Sequence, residues 1–507
     1  MAPAAEAARD ARLTLAAVAA GAALAGAGAA ACWAAYSPRS PRGACGSRRG
    51  SRPLDPSAPP HHPVCARGKL SARAAAAAKP PLSYFPAFMR ALADLYDRRR
   101  NEGGFIVLTV AENKLPASTG MLKARLSKVP GPTLDTFTYD DMRGTLRLRK
   151  AIVSLYRDHI VAPGLELEAD RFTVSAGCGA ILDNLMFLLA GRGDGVLIPV
   201  PYYPAFDNDL TARMGVVPVP VATTSGLLPT PEDLERSARA AAGAGRRIKI
   251  LLLTNPHNPL GVVYPPDRYE ALVRWALERG VHVVSDEIYA NSVFGKGEEF
   301  RSVISMVPGL RKEYGAEVVD RLVHQVWGFS KDFCASGLRV GCLYSGNRQL
   351  LATLDNVSYF AAVSNFTQDA LASMLEDTGF VKRFLGRNRA ELRLSYETLS
   401  SLLEKYEIGF RKADSAMFLM VDLRPALAER TWEAEFALWT SLTEEAKVIL
   451  TPGKDCHCME PGWFRLCYAW VPKEVLAVAA DRLYSHLLDR AEAVVSGTEK
   501  PPLTAGA

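Results

Sequence analysis

Residues 249–289 read KILLLTNPHNPLGVVYPPDRYEALVRWALERGVHVVSDEIY, and this stretch decides the fold. It contains two short apolar runs, at 249–255 and 281–286, separated by a segment whose apolar residues recur at helical spacing. A strand, a helix and a second strand in this order predict two parallel strands joined by a crossover helix. Polar residues follow each run directly, and in open α/β sheets ligands collect beyond the carboxyl ends of the strands.

Four further apolar runs of the same kind lie along the chain, and helical stretches separate them. They are RFTVSAG at 171–177, GVLIPV at 195–200, LVHQVWG at 322–328 and RVGCLYS at 339–345. Nearly continuous apolar runs are typical of strands buried on both faces of a parallel sheet. From about Lys79 the sequence therefore predicts an α/β fold, and the helices and few strands after about residue 376 predict a second domain.

The net charge of +6 is confined to the first part of the chain. Residues 1–79 hold 11 of the 60 Lys and Arg residues and 3 of the 54 Asp and Glu residues, which leaves 49 against 51 for the rest. A nucleic-acid-binding protein concentrates positive charge on the folded surface that meets phosphates. The sequence therefore predicts no nucleic-acid partner. Its average composition, with 49% apolar and 22% charged residues, also excludes collagen-like and many-span membrane proteins.

The first 79 residues predict a leader rather than a folded domain. Residues 13–36 carry no charge and include 13 alanines, a length that can cross a bilayer although alanine is nearly neutral for insertion. Residues 37–79 are rich in Ser, Arg, Pro and Ala, which resembles an organelle transit segment. Together they resemble the two-part leaders of proteins sent to complex plastids. A cleaved signal sequence, a single membrane anchor through 13–36, a disordered tail and a misassigned start codon remain open alternatives.

Nine cysteines in 507 residues, without a CxxC pair, do not indicate a disulfide framework. The tripeptide Cys456-His457-Cys458 has residue types that bind zinc. Residues separated by one position rarely both face a tetrahedral ion, and no second ligand pair with zinc-site spacing exists in the sequence. The sequence therefore predicts ordinary thiols and no metal site.

Several motifs, in order along the chain, carry a family resemblance. They are VAENKL at 110–115, PYYPAFDNDL at 201–210, TNPHNPLG at 254–261, SDEIY at 285–289, SKDFCASGLRVG at 330–341 and PGKDCHCMEPGWFRLCYA at 452–469. In these motifs residues 80–490 resemble the fold-type-I pyridoxal-phosphate (PLP) enzymes, and within the class I/II aminotransferase family the 1-aminocyclopropane-1-carboxylate (ACC) synthase-like branch. The resemblance implies the following division: an N-terminal arm with part of the small domain at 80–155, a large PLP-binding domain with a mostly parallel central sheet between helices at 156–375, a smaller C-terminal α+β domain at 376–490, and a tail at 491–507.

The resemblance also implies PLP as the cofactor and assigns roles to individual residues. Lys331 would hold the cofactor as a Schiff base and move the α-proton of the substrate, because a desolvated lysine amine is nucleophilic. Asp286 would pair with the pyridine nitrogen, so that the ring can accept electrons. The other implied roles are hydrogen bonds to the phenolic oxygen from Tyr289 and Asn258, ring stacking by Tyr202, phosphate binding by Ser330, Arg339 and the amides of Cys178 and Gly179, recognition of the substrate α-carboxylate by Arg465, and a substrate contact by Glu112.

Three positions depart from the family pattern. Gly328 stands three residues before the lysine, where the family often has a phosphate-binding Ser, and Gly179 stands where ACC synthases have a Thr. Met142 occupies the position of the ACC-synthase tyrosine that reaches across the dimer into the neighbouring active site. Tyr139 lies one turn away, and the sequence leaves open whether it replaces that tyrosine.

The resemblance therefore implies an enzyme whose substrates are small molecules, an amino acid and a keto acid. We expect a PLP-dependent aminotransferase, assembled as a homodimer because this family builds its active sites at the subunit interface. ACC synthase acting on S-adenosylmethionine is the first alternative, because it shares every cofactor-binding residue. A lyase acting on sulfur amino acids is the second. A catalytically silent scaffold is disfavoured, since scaffolding requires none of the assigned residues.

Overall fold

The computed structural model describes residues 70, 71, 73, 74, 78, 82–224, 226–295, 297 and 299–496, with side chains up to residue 490. The uncharged stretch at 13–36 and the transit-like composition before residue 70 lie outside the described residues. From residue 70 onward the chain forms one compact unit. Among the described residues, no helix combines the length and the apolar character needed to cross a membrane.

Each of the six apolar runs coincides with a strand, and the described residues form seven further strands. In chain order the strands are β1 (Ile106–Val107), β2 (Phe172–Ser175), β3 (Gly195–Pro199), β4 (Val217–Val221), β5 (Ile248–Thr254), β6 (His282–Asp286), β7 (Val323–Gly328), β8 (Gly341–Ser345), β9 (Gly409–Phe410), β10 (Phe418–Asp422), β11 (Val448–Ile449), β12 (Thr451–Pro452) and β13 (Trp463–Cys467).

The α-helices separate these strands and extend the C-terminal part. They are α1 (Phe85–Ala91), α2 (Pro116–Leu126), α3 (Leu146–His159), α4 (Cys178–Leu189), α5 (Phe206–Thr211), α6 (Pro231–Gly243), α7 (Pro266–Glu278), α8 (Val303–Tyr314), α9 (Ala316–Leu322), α10 (Phe329–Asp332), α11 (Arg348–Val357), α12 (Asn365–Glu376), α13 (Thr378–Lys405), α14 (Trp432–Glu444) and α15 (Lys473–Ser496).

Seven strands form the central sheet, in the order β2-β8-β7-β6-β5-β3-β4. The neighbours β7-β6-β5-β3-β4 pair in parallel, whereas β8 is antiparallel to both β2 and β7. The predicted mostly parallel sheet is therefore confirmed. The carboxyl ends of β2, β3, β5, β6 and β7 and the start of β8 all meet at one edge of the sheet.

Both faces of this sheet are covered by helices. Along β5, Leu251 and Leu253 pack with Leu272 of α7 on one face, and Ile250 and Leu252 pack with the core under α4 on the other. This alternation explains why the runs are almost continuously apolar, because every second residue enters a different core.

The C-terminal part forms a second, antiparallel sheet in the order β12-β13-β10-β9, packed with α13, α14 and α15. The N-terminal segment joins this part, because β1 pairs in parallel with β11 through Ile106 and Val448. Helix α3, by contrast, packs into the core of the central sheet. The boundaries at 155/156 and 375/376 stay predictions, because the chain from residue 70 onward is one compact unit.

Candidate active site

Lys331 lies in the short helix α10, directly beyond the carboxyl end of β7. Its Nζ donates a hydrogen bond to the Ala111 carbonyl oxygen. Burial lowers the pKa of this amine, and the nearby Cys467 thiol and Glu112 carboxylate oppose that shift. The amine is therefore brought closer to the neutral form that acts as a nucleophile and a base.

The next residue, Asp332, fixes the turn that carries Lys331. Its fully buried carboxylate accepts hydrogen bonds from Trp327 Nε1 at 2.8 Å, from Ser292 Oγ at 2.7 Å and from the Asn291 amide at 3.0 Å. These donors come from β7 and from the loop after β6. The turn is therefore anchored to two neighbouring strands, a function that sequence reasoning missed.

Asp286 ends β6 and is 6% exposed. Its Oδ1 accepts a hydrogen bond from the Ile288 amide at 3.2 Å, and no cationic side chain of the described residues forms an ion pair with it. Burial raises the pKa of Asp286 to about 7, and the nearby Lys331 opposes the shift. A buried carboxylate with so little compensation fits a cationic partner such as a protonated pyridine nitrogen.

Arg465 lies in the middle of β13 and is 1% exposed. Its Nη1 donates to Asn258 Oδ1 at 3.0 Å, and its Nη2 donates to the Thr109 carbonyl at 2.7 Å and to Thr451 Oγ1 at 3.2 Å. Its Nε is buried without a partner. No carboxylate among the described residues pairs with this guanidinium, so a fixed positive charge is left for an anionic ligand.

Tyr289 and Asn258, which the sequence assigns to one cofactor oxygen, lie together around Arg465. Asn258 contacts Arg465 directly, and Tyr289 is 2% exposed. Burial raises the pKa of Tyr289, an effect that Arg465 opposes and that Tyr203 and Asp286 reinforce. The structure therefore brings both residues to the same site as Asp286.

The predicted phosphate-binding residues meet where α4 begins. Gly177 precedes the helix with a φ of 91°, and a Cβ atom there would lie 2.7 Å from Arg339 Nη2. Arg339 Nη1 also donates to the Ser336 carbonyl at 2.9 Å, and Ser336 Oγ donates to the Ser330 carbonyl at 3.0 Å. A guanidinium thus lies beside the free amides of a helix N-terminus, which is a suitable environment for a phosphate.

The departure at Gly328 has a steric explanation. A Cβ atom at this position would lie 2.9 Å from Cys178 Sγ and 3.0 Å from the Val340 carbonyl oxygen. The Cys178 side chain thus occupies the space that a serine at 328 needs. The small residue at 328 makes room for the Cys178 side chain. The groups that remain for phosphate binding are Arg339 and the amides at the start of α4.

The two adjacent tyrosines after β3 occupy different environments. Tyr202 OH donates to Asp207 Oδ1 at 2.7 Å, and its ring stacks on His457 with centroids 4.2 Å apart. None of its described contacts is with Lys331, Asp286 or Arg465. The Tyr203 hydroxyl, by contrast, lies within electrostatic range of Arg465 and Asp286, and burial raises its pKa. Ring stacking by Tyr202 stays a prediction, and Tyr203 is the tyrosine of this pair on which Arg465 and Asp286 act.

Glu112 reaches the same site from the loop before α2. Its Oε2 lies 3.2 Å from Lys114 Nζ, and the charge of its carboxylate opposes the lowering of the Lys331 pKa by burial. Farther along the chain, Tyr139 is 89% exposed and Met142 is half-buried, and the described residues give neither one a contact with Lys331.

Comparison with known proteins agrees with this geometry. Residues 105–483 match the family described as aminotransferase class I and II. The chain belongs to this family. Its relatives include 1-aminocyclopropane-1-carboxylate synthase 7 of Arabidopsis thaliana, which is 34% identical over 77% of this chain and 89% of that protein. Synthase 3 of Oryza sativa subsp. japonica is 35% identical over 79% of this chain and 91% of that protein.

Among solved structures, the aspartate aminotransferase of Thermus thermophilus with maleate is 25% identical, with a TM-score of 0.66, and covers 82% of this chain and 99% of that protein. An aminotransferase from Mycobacterium tuberculosis, 21% identical with a TM-score of 0.66, shares the fold. This aminotransferase-family chain is therefore a PLP-dependent enzyme of fold type I.

The described residues fit PLP. The orphaned charge of Asp286 suits the ring nitrogen, the Lys331 amine suits the aldehyde carbon, and the cluster of Gly177, Arg339 and the start of α4 suits the phosphate. The Arg465 guanidinium pairs with no carboxylate among the described residues and its Nε has no hydrogen-bond partner, so it remains available for a substrate carboxylate.

Sequence reasoning missed several members of this site because they carry no motif. Thr109 accepts from Arg465 through its carbonyl oxygen, which any residue type supplies. Tyr84 lies in the N-terminal arm, and its hydroxyl is close enough to Arg465 for that charge to oppose the burial-raised pKa of Tyr84. Thr451 was detectable, because it is a polar residue directly after the apolar run at 448–450.

Proposed function

We propose that this enzyme is an amino-acid aminotransferase, which moves an amino group from an amino acid to a keto acid. The observation that carries this proposal is the buried Arg465 guanidinium without a carboxylate partner among the described residues, in one site with Lys331 and Asp286. A planar carboxylate matches the fork of a guanidinium, and an α-amino acid bound there presents its amino group to the site that holds the lysine.

Each residue then has a task that its environment supports. Arg465 binds and orients the α-carboxylate, and burial lowers the pKa of the Lys331 amine, which brings it closer to the neutral form that can take the α-proton. The bound cofactor supplies an electron sink for the carbanion that loss of this proton creates. Asp286 would keep the ring nitrogen of the bound cofactor protonated, while Asp332 holds the lysine turn in place.

ACC synthase activity is the second candidate, because the relatives named above carry that name at 34–35% identity. It shares the residues that bind PLP. The feature that favours transamination over this alternative is the altered cross-dimer segment, which has Met142, a thioether, at the position of the ACC-synthase tyrosine and a tyrosine, Tyr139, three residues earlier. Elimination from a sulfur amino acid is a third reaction that the same residues support.

We also propose a homodimer in which the partner covers one edge of this site. Two segments near that edge expose large apolar side chains, among them Tyr139 at 89% and Phe360 at 83%. They are joined by a hydrogen bond from Asn365 Nδ2 to the Thr138 carbonyl at 2.8 Å. The second segment reaches the phosphate end of the site, because the Ala176 amide donates to the Ala361 carbonyl. A second copy on this face explains the exposure, and Tyr139 then reaches the neighbouring site in place of Met142.

The visible absorbance of the full-length enzyme with PLP, titrated with a panel of amino acids that includes S-adenosylmethionine, tests the reaction. We expect conversion to the aminated cofactor by particular amino acids, and no Lys331-linked band in Lys331→Ala. A spectral change with S-adenosylmethionine alone, together with release of ACC, favours the synthase. Absence of any cofactor band rejects both enzymatic functions.

A further inference from the structure

The loop that precedes α2 places Lys114 at the rim of the active site. The Lys114 amide donates to the Ala469 carbonyl at 2.7 Å, so this part of the loop runs beside the continuation of β13. Three residues earlier, the Ala111 carbonyl accepts the hydrogen bond from the Lys331 amine. The loop that carries Glu112 and Lys114 therefore passes beside the catalytic amine, and the Glu112 carboxylate acts on the pKa of that amine.

Lys114 uses both groups in this region that suit a positively charged ligand. Its Nζ lies 3.2 Å from Glu112 Oε2 and 3.8 Å from the centroid of the Trp470 ring. A carboxylate and an aromatic face are the two side-chain surfaces that attract a cation. The enzyme's own ammonium group therefore occupies the position in which a sulfonium or ammonium on a substrate would be held.

The remaining groups of the site add hydrogen-bond donors and positive charge. Arg465 has no carboxylate partner among the described residues. The Trp470 indole is 7% exposed, and its Nε1 is buried without a hydrogen-bond acceptor. Asp286 is a buried carboxylate close to Lys331, and the cofactor ring nitrogen accounts for its charge, whereas Glu112 is partly exposed and pairs with Lys114. A cationic side chain would thus enter a site whose anionic groups are already paired.

We propose that Lys114 is a specificity-determining residue that selects substrates by side-chain charge. As a built-in cation held by Glu112 and Trp470, it excludes amino acids with a positively charged side chain and accepts neutral and acidic ones. This inference rests on the proposed aminotransferase function. It also predicts weak binding of S-adenosylmethionine, whose sulfonium is cationic.

Binding of two matched pairs of amino acids tests the proposal on the full-length enzyme with PLP. The pairs are methionine with S-methylmethionine and glutamine with glutamate, and dissociation constants come from the change in cofactor absorbance after rapid mixing, before turnover. We expect S-methylmethionine to bind about tenfold more weakly than methionine, and glutamate at least as tightly as glutamine. In Lys114→Gln the first ratio falls to near one. Lys123→Gln, which removes an exposed lysine of α2, keeps the wild-type ratios.

A second variant is expected to change the same ratio in the opposite direction. Glu112→Gln leaves the Lys114 ammonium without its carboxylate, so the discrimination against S-methylmethionine increases. Equal binding of methionine and S-methylmethionine by the wild type, or an unchanged ratio in Lys114→Gln, overturns the role of Lys114 while the aminotransferase proposal stands. If no amino acid changes the cofactor spectrum, both proposals are rejected together.

Discussion

At the scale of single residues, Asp286 determines how the protein responds to the cofactor. Burial raises the pKa of its carboxyl from the ordinary value of 3.8 to about 7. The cofactor-free fold therefore prefers the protonated form, and it loses stability as the pH rises from about 4 to about 7. A protonated ring nitrogen beside the carboxylate removes this cost when PLP binds.

The variant Asp286→Asn separates these two effects. Without cofactor, its melting temperature is expected to exceed that of the wild type by about 2–5 °C at pH 8, with the difference vanishing toward pH 4. With cofactor, the order is reversed, because the amide does not pair with a cationic nitrogen. Thermal unfolding followed by circular dichroism at both pH values checks this, and a variant without cofactor that is less stable than the wild type at pH 8 contradicts it.

The two tyrosines after β3 allow a matched comparison. Tyr203→Leu is expected to weaken PLP binding by about fivefold, because a ring next to the cofactor contributes stacking energy of about 1 kcal/mol. Tyr202→Leu removes the contacts with Asp207 and His457 and is expected to lower the melting temperature instead. Equilibrium dialysis of PLP measures the first effect. A larger loss of PLP affinity in Tyr202→Leu would restore the original assignment of ring stacking to Tyr202.

At the scale of elements, the start of α4 is the most sensitive part of the phosphate site. Gly177 has a φ of 91° and approaches Arg339, so Gly177→Ala both strains the backbone and displaces the guanidinium. We expect at least tenfold weaker binding of PLP, with the affinity for pyridoxal, which lacks the phosphate, unchanged. Gly179→Ala is the matched control, because nothing lies within 4 Å of a Cβ atom there. Equal effects of both substitutions on PLP binding would refute this role of α4.

The central sheet was largely predictable because strands that are buried on both faces have apolar residues at nearly every position. Six apolar runs coincide with strands β2, β3, β5, β6, β7 and β8. Strand β4 escaped detection because it reads VPVPV and lies at the edge of the sheet. Pro218 and Pro220 have no amide to donate, and an edge strand tolerates this since one side has no partner.

The site was predictable where a residue type is tied to its chemistry, and not where geometry alone decides. The positions of Lys331 and Asp286 follow from the strands that precede them. Which of Tyr202 and Tyr203 faces the site depends on how the chain turns after β3. The sequence does not show this, because the two adjacent residues are identical. Two partners of Arg465, Asn258 and Thr109, lie more than 200 positions earlier in the chain, and its bonds to Thr109 and Thr451 are to groups without a motif.

At the scale of the whole molecule, each active site of the proposed dimer contains residues from both subunits. Lys331→Ala and Tyr139→Ala should each lower activity strongly as pure proteins. After the two are unfolded, mixed and refolded together, each heterodimer contains one site with both native residues, so about a quarter of the wild-type activity should return for equal mixing. Mixed preparations no more active than the separate variants would show that Tyr139 does not act across subunits.

The central claim is that this site converts an amino acid to its keto acid. It is tested most directly by mixing the full-length enzyme with an excess of amino acid, without a keto-acid acceptor, and measuring the products by mass spectrometry. The account predicts one equivalent of keto acid and one of aminated cofactor per active site, and none in Lys331→Ala. Continued release of ACC from S-adenosylmethionine, with no keto acid from any amino acid, would contradict it.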